Sequence, residues 1–412
     1  MNRTMSSRVS AERRTPERRI GVHRGADPGP LVLCIAALHG NEPAGMIALE
    51  RVFAELSRIG LPMRGDLVGL CGNLQALGVG TRFVDEDLNR VWQRERVDAV
   101  LESLSPDGSS GDGDRVPMVG SAELAEQRDL LAAIREESRR ARGAIHVLDL
   151  HTTSSESAPF STVGDTLQNR ELALRLPVPL VLGLEEQIDG AMLQYFDRLG
   201  WRSIGIEGGQ HAAESSVEAH EDVVWIMLEA LGLIEAASSS ARKDRRVRLA
   251  RQAEGLPRVV DVRHRHVVSE ADGFRMHPGF RNFDPVQAGD EVGTDRAGPV
   301  RAAFAGRLFL PLYQRQGDDG FFIVRRLAPA WLAVSRLLRV SGADRVAPWL
   351  PGVQPHPARS DAVVVARWAR NRGVIGLLHL MGFTARGESG GAVMVRRQEG
   401  PARQPESASR DG

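Results

Sequence analysis

Apolar residues in this chain come in short runs separated by segments with helical spacing. Leu31–Leu38, Asp66–Cys71, Ile145–His151, Val178–Leu184 and Ser203–Glu207 read as strands. Ala44–Ile59 places Ile47, Leu49, Val52, Phe53 and Leu56 on one broad face, and Ala122–Arg139 and Val217–Leu233 repeat that pattern. Each of these three predicts an amphipathic helix. Strands alternating with helices from Ile20 to about Leu233 predict an α/β sheet covered on both faces.

The period then changes. Arg258–Val268 alternates apolar and polar residues, and Pro285–Gly293 and Ala305–Pro311 are strand-like and separated by glycine turns. This predicts a second, smaller β domain over 249–328. A polar stretch at 236–248 reads as the linker between the two. Trp331–Arg339 and Val363–Leu380 look helical, so 329–397 is expected to be a C-terminal helical segment. The Gly/Ser/Asp-rich stretch 104–121 reads as a long surface loop; its Asp-Gly-Asp run meets no EF-hand spacing. Residues 1–17 and 398–412 read as disordered tails. The catalytic machinery is therefore sought within 18–235.

Composition narrows the function classes. Over 412 residues the formal net charge is +0, so no global field favours nucleic acid or an anionic membrane. No apolar run is long enough for a transmembrane helix, and the N-terminus lacks the apolar core of a secretory signal. Lys243 is the only lysine, which rules out a P-loop ending in G-K-[ST]. Cys34 and Cys71 lie in strand-like runs without nearby Cys or His at ligand spacing. They are expected as buried thiols in a cytoplasmic protein.

The candidate chemistry starts with three residues. His39-Gly-Asn-Glu42 follows one apolar run directly, and His151 ends another. Strand ends of an open α/β sheet are where ligands bind. An H-x-x-E pair plus a distant His suits a catalytic zinc, which takes three protein ligands and keeps a fourth position open. Alone, H-x-x-E is equally a capped helix start beside a surface histidine. Asn73, Arg82, Asp85, Asp87, Asn89 and Arg90 form a second polar stretch; its arginines and asparagines are fork-shaped donors suited to a carboxylate, or a solvated loop with an Arg–Asp pair. Glu207, followed by two glycines at a strand end, is placed to act as general base, or is an ordinary strand-end glutamate.

Together, His39-Gly-Asn-Glu42, Arg82-x-x-Asp-x-Asp-Leu-Asn89-Arg90, Asp149-Leu-His151-Thr-Thr and Glu207-Gly-Gly-Gln resemble, in order and spacing, the succinylglutamate desuccinylase/aspartoacylase family of the zinc carboxypeptidase-like group. The resemblance covers about 20–235, and parts of 276–286 and 311–322 look like the β domain of bacterial members. It implies a three-layer mixed α/β sheet of the zinc carboxypeptidase type with a second, smaller β domain. It implies one zinc ion per chain, bound by His39, Glu42 and His151, and a water activated by Glu207. Arg82 would polarise the scissile carbonyl, Asn89 and Arg90 would grip a substrate carboxylate, and Asp87 would buttress their loop. Asp149, on the face of His151, is a candidate support for that ligand. The implied activity is hydrolysis of the amide of an N-acyl amino acid or similar small carboxylate-bearing amide, with no nucleic-acid or membrane partner. The alternatives are a metallocarboxypeptidase and a non-catalytic binding protein on the same scaffold.

One departure bears on substrate. Members acting on short N-acyl amino acids carry a tyrosine in the stretch matching Gly317–Phe322, where this chain has none; Tyr313 lies upstream and Tyr195 is the only other tyrosine. Tyr195, Arg198 and Arg202 read as a second anionic pocket or, more simply, as a helix face with solvated arginines. His146, His211, His220, His264 and His266 carry no clear role, with His211 close enough to Glu207 to support it.

Overall fold

The computed structural model describes residues 16–104, 120–235, 239–370, 372–388 and 391–397. The expected tails and the 104–121 loop lie almost wholly outside these residues. The first part of the chain forms β1 (Arg19–Arg24), β2 (Asp27–Ala36), α1 (Ala44–Ile59), β3 (Arg64–Cys71), α2 (Leu74–Val79), α3 (Arg94–Ser103), α4 (Ala122–Arg140), β4 (Ile145–Thr153), β5 (Phe160–Thr162), α5 (Leu167–Ala173), β6 (Leu180–Leu182), α6 (Met192–Arg198), β7 (Arg202–Gln210) and α7 (Glu214–Ala230). Next come α8 (Ser239–Gln252), β8 (Val259–Val267), β9 (Arg275–Met276), β10 (Pro285–Val286), β11 (Glu291–Asp295), β12 (Gly298–Arg301), β13 (Gly306–Phe309) and β14 (Asp319–Arg326). The chain closes with α9 (Pro329–Val340), β15 (Val353–His356), β16 (Arg359–Val365), α10 (Arg372–Leu380), β17 (Phe383–Glu388) and β18 (Gly391–Arg396).

The architecture is mixed α/β, as expected. An 11-stranded sheet runs β1-β3-β2-β4-β7-β5-β6-β8-β14-β13-β10, with separate sheets β12-β11-β9 and β15-β16-β18-β17. Its centre, β3-β2-β4-β7, is parallel, and such strands are buried on both faces. The alternation of β2 shows how. Leu31, Leu33 and Ile35 pack with α4 and α6 residues such as Leu130, Leu131 and Phe196. Val32, Cys34 and Ala36 face α1 and α7, with Leu49, Val52, Leu56 and Val223. Side chains of period two in the strand thus meet the apolar stripes of helices on both sides. No helix among the described residues is long and apolar enough to cross a membrane.

Three stretches differ from expectation. The linker at 236–248 is largely helical: α8 inserts Leu249 into the core, while Arg248 donates to Asp222 at 3.0 Å and Arg245 lies over the Trp225 ring. Its charged residues hid a helix whose anchoring is tertiary. The β part at 249–328 is joined to the main sheet, because β8 pairs in parallel with β6 and then with β14. The C-terminal segment is not helical throughout: Val363–Val365 belongs to β16 and pairs with β18, as suits a β-branched run with restricted side-chain rotation.

Candidate metal centre and its cavity

His39, Glu42, His151 and Glu207 come from neighbouring strands at one end of the parallel sheet. His39 follows β2, His151 lies in β4 and Glu207 in β7, with His151 and Glu207 directly paired across the β4–β7 ladder. The turn after β2 is tightly specified. Ala37 has a left-handed φ of 51°, uncommon for a residue with a Cβ. Gly40 sits so close to α2 that a Cβ there would lie 2.0 Å from the Ala76 carbonyl carbon. The turn folds Glu42 back, its N–H donating to the His39 carbonyl at 3.1 Å.

Glu42 is the centre of the cluster. Its Oε1 lies 2.9 Å from His39 Nδ1, and its Oε2 lies 3.2 Å from His151 Nδ1 and accepts from the Thr152 N–H at 2.8 Å. All three side chains are buried, and one potential ligand atom from each lies within 4.8 Å of the others. The far nitrogen of each ring faces a carboxylate: His39 Nε2 is 3.0 Å from Asp87 Oδ1, and His151 Nε2 is 2.9 Å from Asp149 Oδ2. A carboxylate behind a ligating histidine fixes the ring and raises its basicity.

Asp87 is also the hub of the Arg82–Arg90 loop. Its Oδ2 accepts from Arg82 Nη2 at 2.9 Å and Nε at 3.1 Å, and its Oδ1 accepts from the Asn89 N–H at 2.8 Å. The loop is shaped from below by Glu123 of α4, whose buried carboxylate accepts the N–H groups of Val84, Asp85 and Glu86 at 2.7, 2.9 and 3.2 Å. Glu123 has no signature in the sequence beyond an acidic residue at a helix start.

The electrostatics of the cluster favour a cation. Burial works against ionising Glu42, yet the two histidines hold it well below the usual carboxylate range. Asp87 is likewise buried but held low by Arg82 and His39. Burial opposes charge on His151, and Asp149 and Glu42 overcome it and raise that ring well above its ordinary value. Burial pushes Glu207 up to about 8; His151 opposes this and Glu42 adds to it. Its Oε2 is buried with no hydrogen-bond partner. Three ionised carboxylates, Glu42, Asp87 and Asp149, with Glu207 beside them, therefore face Arg82 and the two histidines, whose protons a metal ion can replace. A group of nitrogen and oxygen donors with surplus negative charge fits a divalent cation.

The surrounding cavity is lined by His39, Glu42, Arg82, Asn89, Arg90 and Glu207 and extends between β5, β7 and α6. Asn89 and Arg90 are engaged already. Asn89 Oδ1 accepts from the Met192 N–H at 2.8 Å, and Arg90 Nη2 is 3.2 Å from Asp319, which also pairs with Arg265. The segment between β13 and β14 roofs the cavity. Gln314 accepts from Asn41 at 3.0 Å, and Gln316 accepts from the Arg82 N–H at 3.1 Å. His211 joins Thr152 to Gln314.

Other sequence candidates lie elsewhere. Asn73 caps α2, and Asp85 accepts from the Ala122 N–H. Tyr195 packs against Trp92, Arg198 donates to the Trp92 carbonyl and Arg202 donates to Gln168; none of the three lines the cavity. Their helix neighbours Gln194 and Asp197 do line it. His146 and His220 are buried without ring partners, and His264 and His266 pack on Phe321.

Comparison with known proteins agrees with the geometry. The family model of the succinylglutamate desuccinylase/aspartoacylase catalytic domain matches residues 28–110, a stretch that holds His39, Glu42, Arg82, Asp87, Asn89 and Arg90. A succinylglutamate desuccinylase from Pseudomonas fluorescens is 36% identical over 99 residues, 24% of this chain and 27% of the relative. One from Burkholderia pseudomallei is 30% identical over 122 residues, 29% of this chain and 30% of the relative. The aligned stretches thus span under a third of these relatives' length. The fold likeness is wider. A succinylglutamate desuccinylase/aspartoacylase from Rhodobacter sphaeroides superposes with a TM-score of 0.52 at 18% identity, over 74% of this chain and 88% of that one. The ectoine utilization protein EutE (DoeB) from Ruegeria pomeroyi gives 0.51 at 19% identity, over 74% and 87%. Residues 28–110 thus match the catalytic domain of the succinylglutamate desuccinylase/aspartoacylase family, and the chain as a whole shares the fold of solved proteins of that description.

Proposed function

We propose that this protein is a zinc-dependent hydrolase that cleaves the amide bond of an N-acyl amino acid or a similar small carboxylate-bearing amide. The observation that carries the reading is the convergence of His39, Glu42 and His151 with Glu207 and Arg82 in one roofed cavity. His39 and His151 would hold one zinc ion through Nδ1, with Glu42 as the third ligand. When bound, zinc supplies Lewis-acid polarisation of a carbonyl and a lowered pKa for water.

The chain's own residues account for the rest. Glu207, buried and readily protonated, takes a proton from the attacking water on its carboxylate and returns it to the departing nitrogen. Arg82, fixed by Asp87, places a permanent positive charge where an oxyanion forms. Asn89 and Arg90 orient the substrate carboxylate; Arg90 shares Asp319 with Arg265, so Asp319 does not hold Arg90 alone. Leu310, Pro311, Leu312 and Gln314 of the segment between β13 and β14 narrow the cavity, which favours a small substrate over a peptide chain. Cys34 and Cys71 are free and buried, in keeping with a cytoplasmic setting.

Glu207→Gln is expected to abolish turnover of N-acyl amino acids while zinc content stays near one per chain. His39→Ala or His151→Ala is expected to lose the zinc, read by elemental analysis. Retained turnover in Glu207→Gln would remove the base assignment, and unchanged zinc in both histidine variants would remove the ligand set.

A further inference from the structure

The cavity has two poles, and only one of them is explained by a substrate carboxylate. Along β7, Glu207, Gly205 and Ser203 share one face. The Thr162 hydroxyl packs over Gly205, where a Cβ would lie 2.5 Å from it, and the cavity lining continues past Glu207 along Thr162, Gly164 and Leu193 to Asp197. Four residues of extended strand cover about 13 Å, the reach of a small elongated ligand. At the far end stands Asp197, near the close of α6. Its Oδ1 accepts from Asn169 Nδ2 at 2.8 Å and from Ser203 Oγ at 2.9 Å. Its Oδ2 is turned to Gly164, where a Cβ would sit only 1.6 Å away. Among the described residues no arginine, lysine or histidine forms an ion pair with Asp197. Glu185 lines the same end; its Oε1 is taken by Arg397 at 2.6 Å, and its Oε2 is buried without a partner.

A half-buried carboxylate without a counter-ion is costly, and it is relieved by a proton or by a cation brought in from outside. Burial pushes Asp197 up to about 7, with Glu185 adding to the effect and its two hydrogen bonds opposing it. The opposite end of the cavity, with Arg82, Asn89 and Arg90, has the reverse character. A ligand matching both ends carries an anionic group near the metal centre and a cationic group further in.

We propose that the N-acyl amino acid cleaved here has a basic side chain, and that Asp197 receives its ammonium or guanidinium group. The inference rests on the hydrolase reading for the orientation of the substrate, and it adds the substrate's charge. A neutral side chain of equal length leaves Asp197 dehydrated and unpaired, and this asymmetry is what lets a polar site discriminate strongly.

The test is calorimetric binding of ornithine, lysine, norleucine and glutamate to the zinc-loaded protein and to Asp197→Asn, together with turnover of the N-acetyl form of each and of N-succinylglutamate. Lysine or ornithine is expected to bind at least about tenfold more tightly than norleucine, the difference of one charge-assisted contact. In Asp197→Asn that ratio is expected to fall toward one. Equal binding of norleucine or glutamate, or an undiminished ratio in Asp197→Asn, overturns the proposal. Should Asp197→Asn not fold, the wild-type ratio decides alone. Basic amino acids that bind through Asp197 without any N-acyl compound being cleaved would uphold Asp197 as the receptor of a basic group and remove the hydrolase reading. Cleavage of N-succinylglutamate with no preference for basic compounds would do the opposite.

Discussion

Two buried charge clusters lie on either side of the cavity, and they are built on opposite principles. At the metal centre, Glu42, Asp87, Asp149 and Glu207 outnumber Arg82, and Glu207 keeps an oxygen without a partner. At the other cluster, Asp165, Glu185 and Glu186 meet Arg170, Arg339 and Arg397, so the formal charges cancel. Arg397 reaches Glu185 at 2.6 Å, Glu186 at 2.8 Å and Asp165 at 3.2 Å, while Arg339 lies 2.9 Å from Asp165. Arg339 and Arg397 come from the C-terminal segment, and their partners come from the first part of the chain. The first cluster is left unbalanced and can take up a cation. The second is balanced in formal charge, although Glu185 also keeps one oxygen without a partner, and it holds two parts of the fold together. Buried charge therefore has to be counted before it is given a role.

Breaking the balance of the second cluster is expected to give the largest change in stability. Arg397→Ala leaves three carboxylates with two arginines, and loss of one partner from a buried charge group costs about 3–5 kcal/mol. Urea unfolding should show this loss while zinc content is unchanged. The pH dependence follows from Asp165, which burial alone would raise but which Arg170, Arg339 and Arg397 hold below the ordinary carboxylate range. A lowered native value stabilises the fold above the unfolded carboxylate pKa, and that contribution is lost as the medium is acidified through the native value. Equal stability of Arg397→Ala and wild type at neutral pH would contradict the contrast drawn between the clusters.

A milder change is expected at the metal centre. Asp149→Asn removes a charge behind His151 and should weaken zinc binding roughly 10–100-fold, measured by competition with a chelator, with little effect on stability of the zinc-free protein. If Asp149→Asn weakened the fold and left zinc affinity alone, Asp149 would belong with the balancing charges.

A further effect, seen only as a change with pH, concerns Asp197, which belongs to neither cluster. Its native pKa is raised to about 7, so its contribution to stability is full below the unfolded carboxylate value and is lost as the pH rises through about 7. Asp197→Asn should remove this slope, gaining stability relative to wild type at pH 8 compared with pH 4, by at most about 4 kcal/mol for a shift of about three pH units at a partly exposed carboxylate. Thermal unfolding at the two values reads it, and a slope unchanged in Asp197→Asn would show that Asp197 is not the group responsible.

The candidate metal group was legible in the sequence because its residues sit in short motifs at strand ends: His39 and Glu42 are three positions apart, and His151 and Glu207 close apolar runs. The parallel core was legible for the same reason, since strands such as Ile145–His151 are buried on both faces. What could not be read was set by partners distant in the chain. Asp87 as the support of His39, Glu123 beneath the Arg82–Arg90 loop and Asp197 at the cavity's inner end are acidic residues in polar surroundings, and only the fold shows what they face. The edge strand β1 and the hairpin β17–β18 were missed because short strands with alternating polar residues resemble loops until a neighbour pairs with them. The role given to Asn89 and Arg90 rests on the family motif, and the structure finds both already bonded within the protein.

The parallel pairing of β6 with β8 decides how this protein can be cut. A fragment ending near residue 235 would seem a natural minimal enzyme, since it retains His39, Glu42, His151 and Glu207. It would strip β8 from Leu180, Val181 and Leu182, which are buried in the intact chain, and leave a bare apolar sheet edge open to other molecules. It would also lose Gln314 and Gln316 from above the cavity. Anyone shortening the protein for expression should expect precipitation from such a fragment, and should keep the chain through Arg397, since an end at the close of β14 would strip Asp165, Glu185 and Glu186 of Arg339 and Arg397.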